Sequence, residues 1–296
     1  MTLAVTMPRP LPTHARLSRP GHTIIFAVLA TALGIATLSQ RAQAQMSGEI
    51  LSRNELRVCA DPNDLPFSND KSEGYENKTA ALIGEELKLP VRFVYFPQVI
   101  GFVRNTLRTR SCDLIMGTVA GDDVVQTTTP YYYSEYVAVW PADKDFAFAG
   151  FDDPRLESMR IGIISATPPS DLLIRHELMA HAKPYALTVD TRYDAPAHEM
   201  IEDLVSGKID LALLWGPIAG YYIKRDALRL KLAAIPNEPG APRMDYHIAM
   251  GVRANEPDWR RQINAAIQKR QSEITAILRD YGVPLLDERG RLIDPP

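Results

Sequence analysis

Two of the six histidines and both cysteines are the first residues of this 296-residue sequence to invite a chemical reading. His176-Glu177-Leu178-Met179-Ala180-His181 resembles a zinc-protease helix, but its histidines are five apart rather than four. Five residues turn a helix by about 500°, leaving the second imidazole roughly 140° from the first. They cannot share one metal in that way, and the spacing reads as two exposed helical histidines. Cys59 and Cys112 have no second cluster of ligands beside them, so no metal site is expected. In an oxidising compartment a disulfide is the first reading of the two. Against it, Cys59 lies inside an expected strand while Cys112 opens another, and a stagger between parallel strands can exceed the roughly 7 Å that a bridge tolerates. A disulfide and two buried thiols both stay open. Neither a Gly-x-Ser-x-Gly elbow nor a Gly-rich phosphate loop occurs, so nucleophilic and phosphoryl chemistry lack residues to carry them.

Binding is the chemistry that remains, and its candidates follow the apolar runs. After Leu56–Ala60 comes Asp61-Pro62-Asn63-Asp64-Leu65-Pro66-Phe67; after Asp113–Gly117 comes Thr118-Val119-Ala120-Gly121-Asp122. Ser165-Ala166-Thr167-Pro168 and Trp215-Gly216-Pro217 follow two later runs. In parallel sheets, ligands sit outside the carboxyl ends of the strands, so the candidates are Asp61, Asn63, Phe67, Thr118, Ala120, Asp122, Thr167 and Trp215. Backbone amides opening the helix after Pro168 could hold an anion or a carbonyl. Tyr131-Tyr132-Tyr133 cannot all point inward from one strand, so Tyr131 and Tyr133 are further candidates to line a cleft or meet a partner.

The elements that position these residues come from alternation. Leu56–Ala60, Val91–Phe96 and Asp113–Gly117 read as strands, with helices over Asn77–Leu87 and Gly101–Thr109 between them. After Tyr136–Trp140 and a charged, Gly-bearing break the pattern restarts: strands over Arg160–Ile164, Ala186–Val189 and Asp210–Leu214, with helices over Ser170–His181 and Ala197–Val205. Two βαβαβ units imply two lobes of parallel-rich sheet. A returning strand over Asp245–Val252 and a helical tail over Pro257–Tyr281 are expected to pack back on the first unit. The expected division is lobe I over 45–138 and 244–296 and lobe II over 139–243, with two crossings making a hinged cleft.

Residues 1–44 carry Arg9, Arg16, Arg19 and Arg41 with no acid, around an uncharged run from Ile24 to Leu38. Ending in Ala42-Gln43-Ala44, this reads as a signal peptide cut after Ala44, too short in its apolar run to be a membrane anchor. Removing those four arginines from the 33 Lys and Arg leaves 29 against 36 Asp and Glu, a formal charge of −7. No clustered basic face is present, which excludes a nucleic-acid binder; an acidic chain favours cationic small molecules or a basic protein surface.

The strings Arg57-Val58-Cys59-Ala60-Asp61-Pro62-Asn63, Leu65-Pro66-Phe67-Ser68-Asn69 and Gly74-Tyr75-Glu76-Asn77-Lys78 carry a resemblance, joined by Gly101–Leu107 and Cys112–Gly117. In this combination and order the sequence resembles the MxaJ/XoxJ family, within the family 3 solute-binding proteins, over essentially the mature length. The resemblance implies a two-lobed α/β fold of the type II periplasmic-binding-protein kind, with two mixed sheets, flanking helices and a hinged cleft. It also implies a periplasmic, non-enzymatic protein without a cofactor, serving a pyrroloquinoline-quinone (PQQ) methanol dehydrogenase of the calcium or lanthanide kind, and its cytochrome c as a further partner. Amino-acid binders of this fold place an Arg shortly after the third strand to grip the ligand carboxylate. Here that stretch is Ala120-Gly121-Asp122-Asp123, and the second-lobe Asp is replaced by Trp215-Gly216-Pro217. The expectation is therefore a cleft with no cation placed for an α-carboxylate. Two rivals are a receptor delivering a small non-amino-acid solute to an ABC permease, and a cyclohexadienyl-dehydratase-like lyase. The missing Arg weighs against the second.

Overall fold

The computed structural model describes residues 53–293; the signal-peptide reading of residues 1–44 lies outside them. In chain order the strands are β1 (Leu56–Ala60), β2 (Asn63–Asp64), β3 (Ser68–Asn69), β4 (Val91–Tyr95), β5 (Leu114–Val119) and β6 (Gln126–Thr127). They continue with β7 (Tyr132–Pro141), β8 (Ile161–Ile164), β9 (Ala182–Tyr185), β10 (Leu211–Trp215), β11 (Leu230–Ala234) and β12 (Asp245–Val252). The α-helices are α1 (Tyr75–Leu87), α2 (Phe102–Asn105), α3 (Pro168–Arg175), α4 (Pro196–Val205), α5 (Gly216–Arg225) and α6 (Pro257–Asp280). None of them is long and apolar enough to cross a membrane.

Two mixed sheets with flanking helices form the expected bilobed α/β architecture. In the first, β4 and β5 flank β1 in parallel, and β12 returns antiparallel beside β5. In the second, β8 runs parallel to β10 and β9 to β8, while β10 and β11 pair antiparallel with β7. The sheets are not separated by a loop, because β7 serves both. Tyr132–Glu135 pairs with Ile248–Asp245 of β12, and Tyr136–Val139 pairs with Trp215–Ala212 of β10. Hydrogen bonding is thus continuous through the point where the chain changes lobe.

Alternation of side chains explains why each sheet is covered on both faces. In β5, Leu114 and Met116 join the apolar layer under α1 and α6, while Ile115 joins the opposite layer with Cys59, Phe102 and Leu107. In β10, Leu211 and Leu213 face one layer and Ala212 and Leu214 the other. The tail does return to the first sheet. Along α6, Trp259, Ile263, Ala266, Ile267, Ile274 and Leu278 are buried at helical spacing, whereas the opposite face is charged. Beyond it Gly282 meets Gly220 of α5 so closely that a Cβ on either would run into backbone of the other. That contact, with Tyr221 stacked on Tyr281 at 5.7 Å, ties α5 to the C-terminal segment behind the crossing.

Several expected elements differ, among them the helix expected over Gly101–Thr109, which is α2 over Phe102–Asn105 alone. Helix α3 stops at Arg175, and Glu177 with φ 59° starts a separate 3-10 turn over Leu178–His181. The two histidines therefore share no helix, and neither is fully exposed: His176 bonds Glu238 at 2.9 Å and stacks on Phe151 at 5.6 Å. Ala186–Val189 is not a strand, since β9 ends at Tyr185 and the following loop goes elsewhere. After Trp215 the chain enters helix α5 directly, with Pro217 in its first turn, where a missing amide costs nothing.

Cys59 and Cys112 are bonded in a disulfide with Cα atoms 5.3 Å apart. The strand register pairs Cys59 with Ile115, three residues on, but Cys112 precedes β5 and the chain there curls back, which cancels the stagger. Reduction, or the double variant Cys59→Ala/Cys112→Ala, is expected to cost about 4 kcal/mol by freeing the closed loop in the unfolded chain. Urea titration with and without reductant measures it; an unchanged midpoint would contradict the expectation.

Candidate functional site

Where the carboxyl ends of the strands face one another, a cavity of about 860 Å³ opens between the two sheets. That is ample for a small molecule. Its first wall comes from the turn between β1 and α1, from the end of β5 and from β12; its second comes from the loop after β9, from Trp215 and from α5.

Asp61, at 2% exposure, is a bracket rather than a lining group. One oxygen accepts the Asn63 amide at 2.8 Å and the Thr191 hydroxyl at 2.6 Å. The other accepts the Gln98 amide at 2.6 Å. Because Thr191 belongs to the loop after β9, this bond crosses the cleft, and Asn63 adds a second by donating Nδ2 to the Thr191 carbonyl at 2.7 Å. These two bonds link the two walls directly.

Of the residues expected in the cleft, Asn63, Phe67, Thr118 and Trp215 line the cavity. Thr118 donates to Asp122 at 3.2 Å, and Asp122 itself is not among the lining residues. Ala120 is taken up by pairing with His247 through its amide at 2.8 Å. Thr167 turns its hydroxyl to the Ile164 carbonyl at 2.6 Å. Helix α3 opens on Pro168-Pro169, which carry no amide hydrogens, so the expected anion grip at that helix start lacks its first two donors. Tyr131 is corrected: it precedes β7, escapes the alternation, and is 2% exposed with its hydroxyl on the Met116 carbonyl at 2.9 Å. Tyr133 stacks on His247 at 4.1 Å outside the cavity. The middle tyrosine of the three, Tyr132, is the one that reaches the cavity wall.

Glu76, His198, Arg225 and Tyr246 are among the lining residues that were not anticipated. Arg225 brings a cation to the cavity wall, where the sequence reading expected none placed for an α-carboxylate. Its guanidinium is committed, however, holding Asp226 through two bonds of 2.6 Å and lying over Tyr222 at 4.7 Å. His198 lies flat on Tyr222 at 4.6 Å.

Two acids of the cavity wall, Asp64 and Glu76, are in the opposite condition. Among the described residues Asp64 has no ion pair, and it is pushed up to about 7, first by burial and then by the nearby charge of Asp61. Glu76 is pushed up to about 8 by burial, then by Asp64 and Asp61. Among the described residues no group of three or more His, Cys, Asp or Glu is arranged to hold a metal ion.

Sequence comparison adds the family context to this geometry. The model of the bacterial extracellular solute-binding proteins, family 3, matches residues 56–283. The crystal structure of periplasmic binding protein XoxJ from Methylobacterium extorquens AM1 is 41% identical over 79% of this chain and 100% of its own, with a TM-score of 0.68. That of MxaJ from Methlophaga aminisulfidivorans MPT is 29% identical over 78% of this chain and 100% of its own, with a TM-score of 0.71. Protein MoxJ of Methylorubrum extorquens is 28% identical over 289 residues, 88% of this chain and 94% of that protein.

Proposed function

Because the chain belongs to the family 3 bacterial extracellular solute-binding proteins, in the group of XoxJ, MxaJ and MoxJ, we propose that it is a periplasmic accessory protein of a methanol-oxidation system. In this reading it contacts a PQQ-dependent methanol dehydrogenase, of the calcium or lanthanide kind, and assists its maturation. Likeness to XoxJ along the whole of that protein is the observation that carries the reading.

Two features of the cleft support binding to a partner over amino-acid capture. The family's carboxylate-gripping Arg is absent after β5, and the Arg225 guanidinium that lines the cavity is held by Asp226. The export signal at 1–44 and the −7 charge left by removing its four arginines fit a periplasmic protein steered towards a basic surface. Lobe I, 45–138 with 244–296, and lobe II, 139–243, would then move about the crossing in β7.

The test is a deletion strain complemented in trans. Periplasmic methanol dehydrogenase activity and its PQQ and metal content should fall on deletion, by about tenfold where assembly depends on this contact, and return on complementation. A pull-down at low salt should recover the dehydrogenase, and added salt should weaken the capture. Full activity, normal cofactor loading and no complex would return solute delivery to a permease to first place.

A further inference from the structure

We propose that the cleft binds an organic cation: an alkylammonium or related compound with an apolar body and no carboxylate of its own. This goes beyond the accessory role and rests on the cavity alone.

Tyr136, Trp215 and Tyr246 form a corner of three rings, with centroids 5.1 Å, 6.0 Å and 6.2 Å apart in edge-on contact. Phe67, Tyr132 and Tyr222 extend the aromatic wall. Each π-face carries negative potential, which attracts a cation within about 6 Å. Asp64 and Glu76 line the same space, and among the described residues neither is paired with a cation or accepts a side-chain hydrogen bond. Two carboxyls left unpaired in an aromatic cavity are costly to ionise. A positive ligand relieves that cost and satisfies the rings together.

The cavity also discriminates by charge and by size. A ligand carboxylate would meet Asp64 and Glu76, with Arg225 already spent on Asp226 and the α3 start blocked by prolines. A bare divalent ion is poorly served, because rings supply no oxygen ligands and the described residues hold no three-ligand group. A volume of about 860 Å³ suits an organic molecule.

Binding should displace protons. Asp64 and Glu76 titrate near pH 7 and 8, and a cation beside them favours the ionised forms, so affinity rises as pH climbs through that range.

Calorimetry on the purified protein, supported by quenching of Trp215 fluorescence, tests the proposal with four probes. Choline and benzyltrimethylammonium are the cations, 3,3-dimethylbutan-1-ol is the neutral isostere of choline, and glycine betaine adds a carboxylate. The cations should bind about tenfold or more tighter than the other two. The heat for either cation should depend on the ionisation enthalpy of the buffer, reporting proton release. Asp64→Asn with Glu76→Gln should lose at least about tenfold in cation affinity, with the circular dichroism spectrum unchanged. If that variant does not fold, the isostere comparison on the unaltered protein decides. No binding of either cation at about 10 mM, or equal binding of the neutral alcohol, would overturn the proposal. A deletion strain with normal methanol dehydrogenase would remove the accessory reading and leave this one standing, since the titration needs only the isolated protein.

Discussion

Asp113→Ala is expected to lower the unfolding free energy by about 3 kcal/mol, because it removes the carboxylate paired with Arg57 and one of the two counter-charges of buried Arg253. Asp113 is 2% exposed and immediately precedes β5. Arg57 grips it with two bonds of 2.6 and 2.7 Å. Arg253, itself 8% exposed, donates to it at 2.6 Å and to Glu256 at 2.7 and 3.0 Å. Arg53 closes the network through Glu256 at 2.6 Å and lies over Trp259 at 4.1 Å. Burial alone would raise the Asp113 carboxyl, but the bonds from Arg57 and Arg253 hold it below its usual range. The network joins β1, β5, β12 and α6 at the end of the first sheet away from the cavity, so its loss loosens the tail helix as well. Urea unfolding followed by circular dichroism gives the number. Arg92→Ala, which breaks an exposed pair with Glu55 at 2.9 Å, is the control and should cost less than about 1 kcal/mol. Equal effects of the two variants would refute the assignment of Asp113 as the centre of a buried network.

How much of this was legible in the chain depended on whether one rule or two acted at a position. β1, β5, β12 and α6 could be read because alternation or helical spacing had no competitor there. Proline gave the opposite result. In Trp215-Gly216-Pro217 both glycine and proline announce a turn, yet Pro217 starts α5, and the buried stripe that follows includes Ala219, Gly220 and Tyr222, too small and polar to register as a helix face. Lys183-Pro184 similarly masked β9, an edge strand that tolerates a proline.

The cavity followed the same division. The rule that ligands lie beyond strand ends placed Asn63, Phe67, Thr118 and Trp215 along its wall. It could not find Glu76, Tyr246 or Arg225, which come from the first turn of α1, the start of β12 and the end of α5. Glu76 had a signal of a different kind: the string Gly74-Tyr75-Glu76-Asn77 puts it beside a glycine whose Cβ would collide with the Phe67 carbonyl. That close approach carries the start of α1 to the cavity. Tyr131 failed for want of one fact, that β7 begins a residue later, because strand alternation assigns faces only within the strand.

Asp64→Asn combined with Glu76→Gln is expected to stabilise the protein at pH 9 by on the order of 4 kcal/mol, an effect comparable with the loss at Asp113 and opposite in sign. Each pKa unit is about 1.4 kcal/mol, and the two carboxyls rise from 3.8 to about 7 and from 4.5 to about 8. Their shifts are coupled and both groups keep some contact with solvent, so roughly half of the summed shift is retained. In the native state they hold protons that the unfolded chain has released between about pH 4 and 8, so stability falls as pH rises through that window and stays low above it. Glu135, opposite Asp245 where β7 changes sheet, is pushed up to about 7 by burial and then by that neighbour, and acts in the same direction. Asp113 and Asp203 act in reverse: hydrogen-bonded cations hold both carboxyls down, so their contribution is present at neutral pH and is lost as pH falls below the unfolded value near 4. Wild-type melting temperature should therefore peak on the acidic side of neutrality and decline towards pH 9, while the double variant stays flatter, with a residual slope from Glu135. Scanning calorimetry at pH 5, 7 and 9 measures both curves. Parallel curves would mean that the two acids are solvated or paired in solution, whereas a variant that gains stability at pH 9 while losing cation binding would identify them as groups kept at the expense of the fold.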